Sequence, residues 1–354
     1  MRTMKTLRAL MIAAVIIVLL FPACSKNELG KAGDTVEKLA TDFYSMTVKS
    51  DAGFDRFVEQ GGASSTQDVS AYLMDYLSVG PWGNLGGFAC SALVAGHTTG
   101  GYLMGRNYDW DNCKTLVIKC FPQNGYASVS TANLEFLGFG EDYEPIGMID
   151  GFKATAAVYV PMDGINEKGL VVADLMAGDN EVTNQNTSGK LNLTTTTTIR
   201  YLLNHAANVE EAIEMLQSIN MHSDEDFAHH LMIADANGRS VVTEWVNGNL
   251  IVTESPVLNN HYLCEEKQGV GLSQRSWEHE ATLLAALQEN PVMDAEGMAD
   301  AMFSTIALPD DQFQGGTQWT IVYDMTEKSA TYYWRRDRAK KYTFYANKED
   351  VVRE

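Results

Sequence analysis

The sequence predicts a layered α+β fold, and three observations carry that prediction. Strand-like segments come in blocks with helical segments between them. The 354 residues are long enough to bury a large core. Apolar residues make up 45% and charged residues 20%, the balance of a packed protein rather than a solvated tail. In chain order, residues 25–89 read as a helical prelude: Val36, Leu39, Ala40, Phe43 and Tyr44 recur at helical spacing, as do Val69, Leu73, Tyr76 and Leu77. Glycines at 83, 86 and 87 then introduce strands over 90–95, 102–107, 115–119 and 154–160, with another over 170–175 after a turn-like stretch at 163–169. A helical hairpin follows at 197–206 and 209–217. Strands return at 230–234, 240–245 and 250–253, with Asn237-Gly238 and Asn247-Gly248 as hairpin turns. Two helices over 275–288 and 294–303 precede a last hairpin at 318–323 and 330–334.

The amino end carries export signals. Arg2, Lys5 and Arg8 precede an apolar run from Ala9 to Phe21, too short for a spanning helix, and Pro22-Ala23-Cys24 closes it. This predicts a signal peptide over 1–23 and a lipid anchor at Cys24, hence a periplasmic or outer-membrane, cell-surface lipoprotein touching the membrane through that anchor. Secretion without lipid is the alternative. With 26 basic against 46 acidic residues and a formal charge of -20, no electrostatic grip on nucleic acid is expected. Cys90, Cys113, Cys120 and Cys264 permit disulfides without requiring them. The odd separation of Cys113 and Cys120 points them to opposite faces of one strand, and Cys113, Cys120 and Cys264 read as small buried hydrophobes.

Missing motifs narrow the chemistry. No Gly-x-Gly-x-x-Gly follows a strand, and there is no P-loop, no His-Glu-x-x-His and no Gly-x-Ser-x-Gly. His229 and His230 are adjacent, so they alternate across a strand and read as structural. What remains is Gly86-Gly87-Phe88-Ala89-Cys90-Ser91, followed by Gly105-Arg106-Asn107-Tyr108-Asp109-Trp110. A free thiol with a pKa near 8.5 needs a base and a cation to act as a nucleophile. Cleavage before Cys90 would put an α-amine, with a pKa of about 8, on the same residue. Arg106 could then hold the thiolate and Asp109 the α-ammonium. On the residues alone, an ordinary surface ion pair beside a core cysteine is the favoured reading.

These motifs, with Cys90-Ser-Ala-Leu-Val ahead of Arg106 and Asp109, resemble the N-terminal nucleophile (Ntn) hydrolases of linear amides. That superfamily includes choloylglycine hydrolases, penicillin V acylases, acid ceramidase-type amidases and penicillin acyltransferases. The resemblance continues through Asp163-Gly-Ile-Asn-Glu-Lys-Gly-Leu170, Val257-Leu-Asn-Asn-His-Tyr262 and Ser273-Gln-Arg275. It implies a four-layer αββα sandwich, with Cys90 as nucleophile and its freed amine as base, and Arg106 and Asp109 as electrostatic partners. It also implies an oxyanion hole from the Asn260 side chain and the Met176 backbone N–H, and Arg275 as the distal arginine. Met176 stands where bile salt hydrolases carry Asn and penicillin V acylases Tyr, and Asn260 and Arg275 are only fifteen residues apart. The short spacing resembles the acid ceramidase and acyltransferase branches more closely, and Met176 counts against bile salt specificity.

The implied organisation is a signal peptide over 1–23, a helical pro-segment over 24–89 and a catalytic domain over 90–354, activated by autoproteolysis between Ala89 and Cys90. The implied reaction is hydrolysis of small N-acyl amides (N-acyl amino acid, bile salt, ceramide or penicillin V type) through an acyl-thioester, with no metal or organic cofactor. Asn260→Ala is expected to lower turnover and affect processing less. Two alternatives remain, an acyltransferase on the same scaffold and a lipoprotein that binds ligands without turnover; the sequence leaves the oligomeric state open. His261 reads as structural or substrate-lining. Phe136, Leu137, Phe139 and Tyr143 read as packing, or else as the lining of an acyl pocket.

Overall fold

The computed structural model describes residues 36–77, 88–139, 142–224, 226–310, 314–348 and 351–353. The signal segment, Cys24, Gly86 and Gly87 lie outside the described residues. From the amino end, strands β1 (Glu37–Ala40) and β2 (Phe43–Val48) lead to helices α1 (Phe54–Glu59) and α2 (Thr66–Leu77). The hairpin β3 (Ala89–His97) and β4 (Tyr102–Asp109) follows, then β5 (Thr115–Cys120) and β6 (Ser128–Asn133). Helix α3 (Met148–Ala154) runs into a 3₁₀ turn over Thr155–Tyr159 and then β7 (Asp163–Asn166) and β8 (Val171–Met176). Short β9 (Leu191–Thr194) and β10 (Ile219–His222) flank the helical hairpin α4 (Thr195–His205) and α5 (Val209–Ser218). Next come β11 (His229–Ala234), β12 (Ser240–Val246), β13 (Asn249–Glu254), β14 (Val257–Leu258), α6 (Gln274–Glu289), β15 (Val292–Met293) and α7 (Ala295–Phe303). The chain ends with β16 (Thr317–Asp324), β17 (Ser329–Trp334), β18 (Tyr342–Tyr345) and β19 (Val351–Arg353).

Two large sheets form from these strands. One has nine strands in the order β1-β2-β5-β6-β7-β8-β11-β12-β13; the other runs β14-β3-β4-β16-β17-β18-β19, with β15 also on β3. Because side chains alternate across a strand, each sheet offers two faces. Cys90, Ala92 and Val94 of β3 meet Val117, Val129, Ile165 and Ala173 of the larger sheet in the central core. The larger sheet turns Leu116, Ile118, Leu231 and Ile233 outward onto α1, α2, α4 and α5. The smaller sheet turns Leu93, Leu103 and Val322 onto α6 and α7 through Leu283, Met298 and Met302. The result is a four-layer αββα sandwich, the architecture that the sequence resemblance implies. At Gly105 a Cβ would strike Met302, so the glycine lets α7 lie close on β4.

Two sequence expectations are corrected. Residues 36–48 form a strand pair rather than a helix, with Asp42 at φ 58° in the turn. β2 is an interior strand, parallel to β5 from Phe43–Thr115 to Val48–Cys120. Being covered on both faces, it shows no alternation, and its apolar residues match a helical period by coincidence. The stretch ahead of Cys90 is therefore not simply helical, although α2 matches the helix expected there. The run 154–160, expected as a strand, is the end of α3 and a 3₁₀ turn. All of its side chains are buried, and a short apolar run of that kind carries no period to separate strand from helix.

Candidate active site

The β3–β4 hairpin sets Cys90 opposite Tyr108 and Ala89 opposite Asp109. Alternation along β4 sends Arg106 and Tyr108 into the space between the sheets and Asp109 to the other side. Cys90 is buried, and its Sγ lies 3.4 Å from Nη2 of Arg106. The same nitrogen donates to the Asp174 carbonyl at 2.9 Å, and Nη1 pairs with Asp163 Oδ2 at 2.9 Å. The guanidinium also lies 5.3 Å from the Tyr108 ring and 6.0 Å from that of Trp319. Asp163 accepts two further hydrogen bonds, from Tyr323 Oη at 2.8 Å and Trp319 Nε1 at 3.2 Å. Asp174 pairs with His229, whose Nδ1 is 3.0 Å from Oδ2. Burial alone would depress His229, but Asp174 and the Asp224 region outweigh it and push it up to about 9. Two buried cations thus face two buried carboxylates. Burial pushes the Cys90 thiol well up, against the pull of Arg106, so the sulfur is protonated at neutral pH and needs a base beside it.

The backbone around Cys90 is also held. Its N–H donates to Asn260 Oδ1 at 2.7 Å, Asn260 Nδ2 donates to the Met176 carbonyl at 2.9 Å, and the Phe88 N–H points at Met176 Sδ, 2.8 Å away. In the continuous chain Asn260 therefore clasps the nitrogen of the Ala89–Cys90 peptide with its oxygen, while its amide group is engaged by Met176. Met176 meets these neighbours through its carbonyl and its sulfur. Asp109 accepts from Thr317 Oγ1 at 2.5 Å, and burial pushes its carboxyl up to about 7 against that bond and the nearby arginines.

A cavity of about 20 Å³, room for one water, is lined by Ala89, Cys90, Asp109, Asn260, Arg275 and His279, among others. Arg275 stands in the first turn of α6, half exposed, and pairs with Asp310 at 2.7 Å. Burial, with Arg275 adding to it, pushes His279 down to about 4, so its ring is neutral. The loop carrying Asn260 is tied down by the buried Glu244, which accepts from the N–H groups of Leu263 and Cys264 at 2.8 and 2.9 Å and lies 3.3 Å from His230 Nδ1. Gly178, at φ 100°, lets the chain at Gly271 and Leu272 cross close by, where a Cβ would strike their backbone. Leu272 N–H then donates to the Asn260 carbonyl at 2.8 Å.

All the residues expected at the site thus lie around Cys90: Asp109, Asn260 and Arg275 at the cavity, Arg106 between the sheets, and Met176 against Phe88 and Asn260. His261 faces α6 instead, with Ser276 Oγ at 2.7 Å and Trp277 stacked at 4.9 Å. Phe136 belongs to the central core with Cys90, whereas Leu137 and Tyr143 pack in the outer core. The sequence reading missed Asp174, Glu244, Thr317 and the role of Asp163. Three of them had a signal: Asp163, Asp174 and Glu244 are lone carboxylates in otherwise uncharged strands, and a buried charge needs a partner. Cys90, Cys113, Cys120 and Cys264 are all free and buried.

Residues 90–261 match the family model of linear amide C-N hydrolases, choloylglycine hydrolase family. Two structures of variants of conjugated bile acid hydrolase from Clostridium perfringens align with a TM-score of 0.54 at 16% identity, over 75% of this chain and 96% of theirs. Penicillin V acylase from Agrobacterium tumefaciens aligns at 17% identity over 69% of this chain and 83% of its own, with a TM-score of 0.48. No curated protein matches the chain. The fold and the family match together define the class, a hydrolase acting on linear amides. Residues 90–261 are thus similar to the linear amide C–N hydrolases, and the fold agrees with that likeness.

Proposed function

We propose that the protein is a cysteine amidase that cuts small N-acyl amides through an acyl-thioester on Cys90, and that it activates itself by cleaving the Ala89–Cys90 bond. The observation that carries this reading is the grip on both ends of one residue: Arg106 at the Cys90 sulfur, 3.4 Å, and Asn260 at its nitrogen, 2.7 Å. In processing, Sγ adds to the Ala89 carbonyl carbon, the C–N bond breaks, and the thiol proton ends on the Cys90 nitrogen. Water then hydrolyses the thioester, giving the Ala89 carboxylate and a free thiol beside a free amine. That amine is the base that the buried thiol lacks. In turnover it takes the thiol proton, the acyl carbon bonds to sulfur, the substrate amine leaves with a proton, and water releases the acid. Arg106 stabilises the thiolate, and Asp109, which lines the same cavity, is assigned to orient the freed α-amine.

Released amine from a panel of N-acyl amino acids, bile conjugates, ceramides and penicillin V tests the reading. Turnover by the wild type and none by Cys90→Ala supports it; equal turnover by both overturns it.

A further inference from the structure

Under the reading just given, on which this inference rests, Cys90 attacks two carbonyl carbons in its lifetime, and both must reach the same sulfur from a permitted direction. In processing the acyl group is Ala89, with Phe88 behind it; in turnover it is the substrate's acyl group. Whatever holds Phe88 in the continuous chain therefore lies where a substrate's acyl chain has to lie.

Phe88 is buried in a cage of rings, with centroid distances of 5.4 Å to Tyr108, 5.9 Å to His229 and 6.4 Å to Trp110. The cage is fixed from behind. Tyr108 stacks on Trp319 at 3.9 Å, and Phe136 stands edge-on to Trp110 at 5.7 Å. His229 is turned by bonds from both nitrogens, to Asp174 and to the Asp224 carbonyl at 3.0 Å, so its polar atoms are already engaged. Met176 Sδ adds a polarisable contact at the Phe88 N–H. Ring-to-ring contacts of this kind favour an aromatic group beyond its simple area.

We propose that this cage, filled by Phe88 before cleavage, becomes the acyl subsite of the processed enzyme and selects an apolar acyl group ending in an aromatic ring. Hydrolysis of the Ala89–Cys90 bond frees Phe88-Ala89 as a carboxyl end that withdraws and vacates it. The spacing is set by covalent geometry: Cα and N of Ala89 and C, Cα and Cβ of Phe88 separate the carbonyl carbon from the ring.

The test uses two peptide aldehydes, acetyl-Phe-Ala and acetyl-Ala-Ala, on processed enzyme. Each adds the Cys90 thiol across its C=O to give a thiohemiacetal, which protects the sulfur from alkylation, read by mass. Acetyl-Phe-Ala aldehyde is expected to protect at roughly tenfold lower concentration, the worth of one ring buried in a fitted pocket. Trp110→Ala should bring the two concentrations together, and Trp110→Phe should keep them apart. Equal protection of wild-type Cys90 by both aldehydes overturns the subsite while leaving the cysteine amidase intact. Protection by neither on processed enzyme likewise overturns the subsite, and a wild-type chain that is never cleaved removes the amidase reading as well.

Discussion

Asp163 holds Arg106 in place: the carboxylate lies 2.9 Å from Nη1, neither side chain is exposed to solvent, and the other end of the guanidinium reaches Cys90 Sγ. The pair spans the two sheets, β4 on one side and β7 on the other. A charged partner left alone in such a place has no water to fall back on.

Asp163→Asn should therefore cost about 3–5 kcal/mol of stability, the usual penalty for breaking a buried pair from one side. Tyr323→Phe, which removes only one hydrogen bond to the same carboxylate, should cost about 1 kcal/mol. Denaturant unfolding of both variants checks the ordering. Equal midpoints would mean that Asp163 is not the counterion.

Asp109 gives the continuous chain a pH signature. Its carboxyl titrates near 3.8 when unfolded and is pushed up to about 7 by burial in the fold. Between these values the folded chain keeps a proton that the unfolded chain releases, so this group's stabilisation is full below the lower value and fades as pH rises through the upper one, by a few kcal/mol. In a Cys90→Ala background, unfolding temperature should fall from pH 4 to pH 7, and Asp109→Asn should flatten that fall.

On the proposed reading, with Asn260 assigned as one oxyanion donor, Asn260→Ala is expected to lower amide turnover by about two to three decades. The sequence alone suggested that processing would be less affected. Because Asn260 Oδ1 accepts the N–H of the scissile peptide at 2.7 Å, the variant should instead slow processing as well, by about tenfold for a lost hydrogen bond to the reacting group. Time courses of chain cleavage and of amine release separate the two effects.

After cleavage the amino-terminal piece should stay bound. It contributes β2 to the interior of the larger sheet, and Phe43, Tyr44, Met46, Phe54, Phe57 and Leu73 to the buried cores. Burial of each such side chain is worth about 1.5–3 kcal/mol. Denaturing gels should show two chains, and size-exclusion chromatography one species holding both. A catalytic chain eluting alone would contradict this.

How much of this was legible in the sequence varies with the physics of each element. The hairpin of Cys90 and Arg106, the helices α4 to α7 and the strands β11 to β13 follow from periodicity and turn residues. Strand β6, Ser128–Asn133, was not, because its hydroxyls are buried for a tertiary reason: Ser128 and Ser130 accept from Arg200, at 2.8 and 2.5 Å, and Thr131 bonds to Tyr332 at 2.7 Å. A polar segment of that kind looks like a loop until its partners are known. The gathering of Cys90, Asp109, Asn260 and Arg275 at one cavity rested on resemblance, since no local pattern links residues so far apart in the chain. Asp174 and Glu244 lie in apolar strands, where a lone carboxylate marks a buried partner but does not say which.

The central claim is that one residue supplies both sulfur and base, and the mass and amino terminus of the purified, active protein test it most directly. The account predicts a chain beginning with Cys90 and bearing a free α-amine, absent from Cys90→Ala, which remains continuous and inactive. A wild-type chain still joined at Ala89–Cys90 and fully active would contradict it.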